Sequence, residues 1–373
     1  MTDPASLARR AARAAEDGAA RDAPVRIGIL GGGMMSQVGH LPFYLDDRRC
    51  DVVAVAEARP SLIEAIGNRI GRDKLIPDHR ALLEDDTIDA VVISAPRPAT
   101  APLTLETLET GKHVLAEKPM AHTASQAERL VDAAAARDLT YAVGFMKRYD
   151  PGVQAARALF DDVMAEGRLG RLLMARFYDY SNAYAVQVPP HTRPAESRIE
   201  RFTQWPLWPD WLPEAYREVY PWFVNAASHD VNLLRFFFAG HVEVIDARCP
   251  NDGSIVATLR QGEVPIVLEI AKTAAGRWLE GAEFLFERGR IALSIPSPMA
   301  VHSVADVVLD DPERELTGHS VETGTGWCFA RQATGFVDAL AGEAAPHTTG
   351  ADGLGDMILT ERIWRKISGL GDD

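Results

Sequence analysis

Three short clusters in this 373-residue chain combine residue types suited to binding a nucleotide and moving a proton. The first, Gly31-Gly32-Gly33-Met34-Met35-Ser36, fits G-x-G-x-x-(small) immediately after an apolar run at 25–30. Gly31 allows a tight turn, and Gly33 lets a pyrophosphate approach the backbone. The helix that follows offers N–H groups and the positive end of its dipole to that anion. A purely structural glycine turn reads the same in isolation. The strand before it, the helix after it and a second strand ending in Glu57 favour dinucleotide binding. Glu57 falls near the spacing of ~20 residues at which an acid meets the adenosine ribose. A carboxylate there accepts from both ribose hydroxyls and repels a 2′-phosphate, so NAD is expected in preference to NADP, with Arg59 softening the repulsion.

The second cluster, Glu117-Lys118-Pro119, closes the run at 113–116. The carboxyl ends of parallel strands line the cofactor crevice, which directs Lys118 towards a nicotinamide. A lysine of lowered pKa there can take a hydroxyl proton and polarise a carbonyl; taken alone, a lysine after a strand is an ordinary solvated residue. The third cluster runs Asn225-Ala-Ala-Ser-His229-Asp230-Val-Asn232. Asn225 and His229 stand four apart and share a helix face, and histidine titrates near neutrality. The plainer alternative is a histidine satisfied by a neighbour such as Asp230. The ten histidines include no H-E-x-x-H or carboxylate–histidine spacing, so no metal is expected, and there is no G-x-S-x-G elbow.

The elements needed to position these clusters are legible in outline. Near-continuous apolar runs at 25–30, 51–57, 89–95, 113–116 and 140–145 read as strands buried on both faces. Helical stretches at 61–70, 102–111 and 125–137, the last with Thr123 or Ser125 as N-cap, separate them. Alternation of this kind implies right-handed βαβ units and a doubly wound parallel sheet. Past residue 147 it stops. A helix at 153–166 and a strand at 172–180 lead into an irregular segment, 181–221, with seven prolines and Trp205, Trp208 and Trp211. A helix at 224–239 follows. Strand candidates then recur at 242–249, 254–260, 265–272, 280–286, 290–295 and 301–309 without helices between them, and helices close the chain at 327–341 and 353–368. The expected fold is α/β: an N-terminal Rossmann parallel sheet (25–147), preceded by an extension (1–24), and a C-terminal α+β domain (148–373) with a large, open, mostly antiparallel sheet.

Composition narrows the partners. A formal net charge of −14 and a pI of about 5.2 disfavour nucleic acid. No apolar run approaches the ~18 residues of a membrane span. Three scattered cysteines, Cys50, Cys249 and Cys328, suit a reducing cytoplasm. The alanine- and arginine-rich first 24 residues lack the apolar core of a secretory signal. Tryptophan faces stack on sugars, so Trp205, Trp208, Trp211 and Trp222 are candidates for a substrate wall, balanced against simple packing of the loop or a subunit contact. Tyr180, Tyr184 and His191 are weaker candidates.

Taken in order, the glycine turn, Glu57, the string G-K-H-V-L-A-E-K-P at 111–119, V-G-F-M-K-R-Y-D-P at 143–151, the helix carrying His229 and T-G-A-D-G-L at 349–354 resemble the glucose–fructose oxidoreductase/inositol dehydrogenase/MocA (Gfo/Idh/MocA) family. The likeness runs from residue 25 to the C-terminus and is weakest over 181–221. It implies an NAD(P)-dependent oxidoreductase that transfers a hydride between nicotinamide and a secondary hydroxyl or ketone of a sugar, cyclitol or glycoside. Lys118 matches the family lysine that contacts nicotinamide ribose and substrate, and His229 matches the catalytic histidine. Asn225 falls where an aspartate is usual, Asn232 where a second acid is common, and Arg97 and Thr100 where His and Asn are frequent.

The expected catalytic set is Lys118, His229 and Asn225. The cofactor set is Gly31, Gly33, Met34, Met35, Glu57, Ser94, Pro96, Glu117 and Lys118. The substrate set is Lys118, Arg148, Tyr180, Trp205, Asn225 and His229. A homodimer or homotetramer is expected, built on the open sheet. Two other outcomes are an enzyme that retains NAD and cleaves or epimerises a glycoside without net redox change, and a cofactor-bound sensor or scaffold. The acidic surface makes a neutral or cationic polyol a more natural substrate than a sugar phosphate.

Overall fold

The computed structural model describes residues 23–180, 188–196, 202–251, 253–273 and 278–371. Nearly all of the N-terminal extension, and Tyr184, lie outside these residues. Six strands form the first sheet: β1 (Val25–Leu30), β2 (Cys50–Ala56), β3 (Leu75–Ile76), β4 (Ala90–Ile93), β5 (His113–Ala116) and β6 (Tyr141–Val143). They pair in the order β3-β2-β1-β4-β5-β6, parallel throughout, which is the doubly wound arrangement with its switch point between β1 and β4. All four residues of β4 are buried, as expected of a strand covered on both faces.

Helices α1 (Leu41–Asp46), α2 (Pro60–Ile70), α3 (His79–Leu83), α4 (Arg97–Glu109) and α5 (Ala124–Ala135) flank the strands. Thr123 caps α5 by accepting from the Gln126 N–H at 3.1 Å. The short β3 and α3 carry too few residues to show a period and were not anticipated. The segment after the glycines is a π-type turn, Ser36–His40, followed by α1 rather than one regular helix. α4 begins five residues before the expected 102, with Pro102 inside it. Proline has no N–H, so the carbonyl of Pro98 one turn back is released, and it accepts the Trp205 N–H at 3.2 Å.

The second sheet holds β7 (Leu172–Asp179), β8 (Glu243–Asn251), β9 (Ser254–Gln261), β10 (Val264–Ala271), β11 (Glu280–Phe286), β12 (Gly289–Ile295), β13 (Asp306–Asp311) and β14 (Leu316–Ser320). Its order is β14-β13-β12-β11-β7-β10-β9-β8, antiparallel except for β7 with β10. β13 starts later than expected, because 301–305 form a turn before the strand. The glycine-bearing β14 is a further strand.

One face packs on α6 (Pro151–Glu166) and α8 (Ser228–Phe237), through Phe160, Phe177, Phe237 and Phe284 with ring centroids 4.6–6.2 Å apart. The outer face is polar and apolar together, with Met174, Val256 and Leu285 exposed. The helix expected at 224–239 is two: α7 (Val219–Ala226) and α8, with a break at Ala227.

The chain then returns to the first sheet. α9 (Cys328–Leu340), expected with the second domain, puts Ala333, Phe336 and Val337 into the core with β1 and β2. α10 (Gly350–Ile367) begins with a capping box at Thr349 and Asp352, and Thr349 bridges to Ala142 of β6. Trp364 of α10 is fully buried and meets Tyr220 and Phe223 of α7 at 5.3 and 5.7 Å. It therefore fixes the helix that carries Asn225. Trp364→Ala is expected to cost ~3–5 kcal/mol of stability, the usual size for a large aromatic deleted from a core, measured as a lowered urea midpoint.

Candidate functional site

The glycine turn lies between the ends of β1 and β4. Gly31 has φ of 98°, and a Cβ there would come within 2.3 Å of the Ser94 carbonyl oxygen, so only glycine closes this turn. Around Gly33 the situation is reversed: nothing lies within 4 Å of where its Cβ would stand. That open backbone is the cradle a pyrophosphate requires. Met34 and Met35 pack against the cluster of Val38, Met146 and Trp327.

Glu57, at the end of β2, accepts from the N–H groups of Gly32 and Arg59, each at 2.9 Å. The Arg59 guanidinium grips both its oxygens at 2.6 and 2.8 Å. Burial pushes the Glu57 carboxyl up, but the bonds from Arg59 and Gly32 outweigh it and hold the group below its ordinary value. A cleft opens beside it, lined by Gly31, Ala56, Glu57, Ser94 and Pro96, and closed on the far side by His79 and Phe202. The Glu57 carboxylate at its edge offers an acceptor suited to ribose hydroxyls.

The other end of the crevice holds the reactive groups. Glu117, directly after β5, accepts from His40 Nε2 at 2.8 Å. Lys118 turns its Nζ to the carbonyl oxygen of Asn225 at 2.9 Å, and to the Asn225 side-chain oxygen at 3.5 Å. The carbonyl is presented at the junction where α7 ends and α8 restarts, and it also accepts from Ser228 Oγ. Burial brings the Lys118 ammonium down to about 8, against the pull of Glu117. His229 is buried in the first turn of α8, edge-on to Phe145 at 5.8 Å. Burial, Lys147 and Lys118 together hold its pKa well below the usual histidine value, so the ring is neutral at physiological pH. Its Nδ1 has no hydrogen-bond partner among the described residues.

Four further ionisable groups surround this pair. Lys147, in the turn after β6, bonds Glu280, which also accepts from Trp278 Nε1 at 3.0 Å. Glu280 faces Asp179 across the β7–β11 register, and Asp230 follows His229 on α8. Burial raises both Glu280 and Asp230, and each acid's negative neighbours add to the rise. Burial alone would lower Lys147, but Glu280, Asp230 and Asp179 hold it charged.

The structure therefore brings together Gly31, Gly33, Glu57, Ser94 and Pro96 at one end, and Glu117, Lys118, Asn225 and His229 at the other. It places three expected residues elsewhere. Arg148 points away from the crevice and ties Asn232 Oδ1 at 2.8 Å within a buried network that continues to Asp356. Tyr180 lies on the outer sheet face, bonded to Glu269 and Arg176, because alternation along β7 turns Asp179 inward and Tyr180 outward. Trp205 packs under the Arg129 guanidinium, 4.4 Å from its centroid, on the flank of α5. Trp208 and Trp211 likewise lie under Arg217 and Arg365. Lys147 lies beside Arg148 in a string already singled out. Asp179 and Glu280 become visible only once the strand register is known.

Residues 25–145 match the model of the oxidoreductase family with an NAD-binding Rossmann fold. An inositol 2-dehydrogenase from Acidothermus cellulolyticus is 25% identical over 291 residues, spanning 75% of this chain and 76% of that protein. A levoglucosan dehydrogenase from Pseudarthrobacter phenanthrenivorans is 29% identical over 159 residues, 41% of this chain and 40% of that protein. A solved levoglucosan dehydrogenase, in complex with NADH and levoglucosan, shares the fold with a TM-score of 0.70 at 19% identity, over 93% of this chain and 98% of its own.

The Lys147–Glu280 pair makes the site a stability cost as well as a function. Both side chains are at most 5% exposed. Glu280→Gln removes the hydrogen-bonded partner of a buried ammonium, leaving it only the fields of Asp179 and Asp230, and is expected to cost ~3–5 kcal/mol in urea denaturation. Adding Lys147→Met to it should recover most of that loss.

Proposed function

The chain belongs to the Gfo/Idh/MocA oxidoreductase family, and from that premise we propose that it interconverts a secondary hydroxyl and a ketone on a sugar, cyclitol or glycoside, with NAD preferred to NADP. The observation that carries this reading is the buried amine of Lys118, held against Asn225 beside a neutral His229 at the carboxyl end of β5. A bound nicotinamide supplies the two-electron acceptor or donor. The rest is the work of this chain's residues.

In the oxidative direction Lys118, as the free amine, accepts the hydroxyl proton and then, as ammonium, hydrogen-bonds the new carbonyl. His229 offers a neutral imidazole nitrogen that orients the same hydroxyl. Asn225 orients the substrate with its amide and adds no charge. In reduction the ammonium of Lys118 is the acid. In this reading 25–147 hold the dinucleotide and 148–373 supply the substrate and assembly contacts. Binding of a sugar or cyclitol follows the names of the relatives.

Among the described residues no helix is long and apolar enough to cross a membrane. With no disulfide among the described residues, a cytoplasmic setting is the natural one. The outer sheet face, where Met174, Val256 and Leu285 lie exposed among the pairs Arg176–Glu269 and Arg290–Asp310, is the surface through which copies would associate.

A panel of inositols, hexoses and anhydrosugars incubated with NAD+ tests the activity through the absorbance of the reduced cofactor. No turnover with any member would overturn the reading. Lys118→Met is expected to lower kcat by about 10²–10⁴-fold without lowering Tm, since it removes a poorly solvated amine. For the wild type, kcat/KM for oxidation should rise with pH through about 8, as Lys118 loses its proton, and reduction should fall over the same range. Asn225→Asp places a negative charge beside Nζ, favours the ammonium and should move that rise to higher pH.

A further inference from the structure

A 2′-phosphate on the cofactor would have to be accommodated beside Glu57, where Arg59 and Ser61 place three groups suited to it, Arg80 of the same cleft lying 4.0 Å from Asp78. These are the Arg59 guanidinium and, at the N-terminus of α2, the N–H and hydroxyl of Ser61. All three are already taken by carboxylates. Glu57 holds Arg59 at both oxygens. Glu196, from the long segment after β7, accepts the Ser61 N–H at 2.8 Å with one oxygen and the Ser61 hydroxyl with the other. The Ala195 N–H adds a bond to Ser61 Oγ at 3.0 Å.

Glu196 is not a side chain resting on a surface by chance, because its segment is fastened to the dinucleotide end on both sides. Thr192 exchanges two hydrogen bonds with the side chain of Gln37, at 2.8 and 3.0 Å, and Gln37 in turn holds the Gly32 carbonyl. Further along, Phe202 meets His79 edge-on at 5.2 Å across the adenosine cleft. The Trp205 N–H is received by the carbonyl that Pro102 releases. Residues 192–196 and 202–205 thus lie against the cofactor end of the first half, and Glu196 brings an acid to the start of α2.

We propose that Glu196 is a specificity-determining residue: its carboxylate occupies the position a 2′-phosphate would need, and so discriminates against NADP. The ribose hydroxyls of NAD use Glu57 and have no need of Ser61. A 2′-phosphate must displace Glu196 from Ser61 and meets two carboxylates in place of free donors. The inference rests on the dinucleotide reading of the cleft, and a binding measurement separates the two.

The experiment is isothermal titration of the wild type, Glu196→Ala and Glu196→Gln with NAD+ and with NADP+. Glu196→Ala is expected to bind NADP+ about tenfold more tightly than the wild type, the scale of one like charge removed from a surface phosphate, with NAD+ changed less than about twofold. Glu196→Gln, which keeps an acceptor for Ser61 but no charge, should gain a smaller factor in the same direction. The gain should shrink at high salt. If NAD+ and NADP+ shift together in the variants, Glu196 merely fastens the segment and the inference falls. An unchanged NADP+ affinity also overturns it, while NAD+ binding by the wild type leaves the dinucleotide reading standing. If the wild type binds neither cofactor, both fall.

Discussion

Asp179 and Glu280 stand opposite one another on adjacent strands, both turned to the interior and both buried. Two like charges at that spacing, with little water to screen them, are mutually destabilising. Lys147 is the answer to that problem: its ammonium bonds Glu280, and the field of the surrounding acids keeps it charged. The arrangement also fixes the state of everything near it. The positive charge of Lys147 acts on His229 and Lys118, and adds to burial in holding both below their usual values. A neutral histidine and a lysine of lowered pKa thus follow first from burial, and the ion pair that seats two acids on the inner face of the second sheet reinforces both.

That dependence ties the two halves of the chain together more closely than their separate sheets suggest. Lys118 follows a strand of the first sheet, Asn225 and His229 flank a helix break, and Glu280 starts a strand of the second. The Trp364 ring presses α10 against α7 and so holds the helix that carries Asn225. α9 crosses back under β1 and β2. The reactive end of the crevice is therefore positioned by packing contributed from distant parts of the sequence.

Much of this was legible in the sequence, and the reasons are specific. Strands buried on both faces appear as unbroken apolar runs, so the parallel sheet could be read almost strand by strand. The glycine turn, Glu57 and the Glu117-Lys118-Pro119 string are local, and locality preserves their meaning. Residues whose role depends on register were harder. Nothing in the run at 172–180 says which parity faces inward, so Tyr180 was expected at the substrate and Asp179 was passed over. The same one-residue ambiguity singled out Arg148 and left its neighbour Lys147 unremarked. The long segment after β7 shows no period, so its tryptophans suggested a sugar wall, whereas Trp205, Trp208 and Trp211 each lie beneath an arginine.

The place of Asn225 follows from the same electrostatics. The resemblance to the family puts an acid at this position. Here the crevice already contains Asp179, Asp230 and Glu280, and two of these are pushed up by burial and by their negative neighbours. A further carboxylate against Lys118 would pair with it directly, keep it protonated through the neutral range and withdraw it as a base. The amide leaves the lysine solvated only by a carbonyl dipole. That is enough to orient the amine and lets its proton go near pH 8. The neutral residue is thus compatible with proton transfer because the state of the amine is set elsewhere, first by its burial and then by the charge of Lys147.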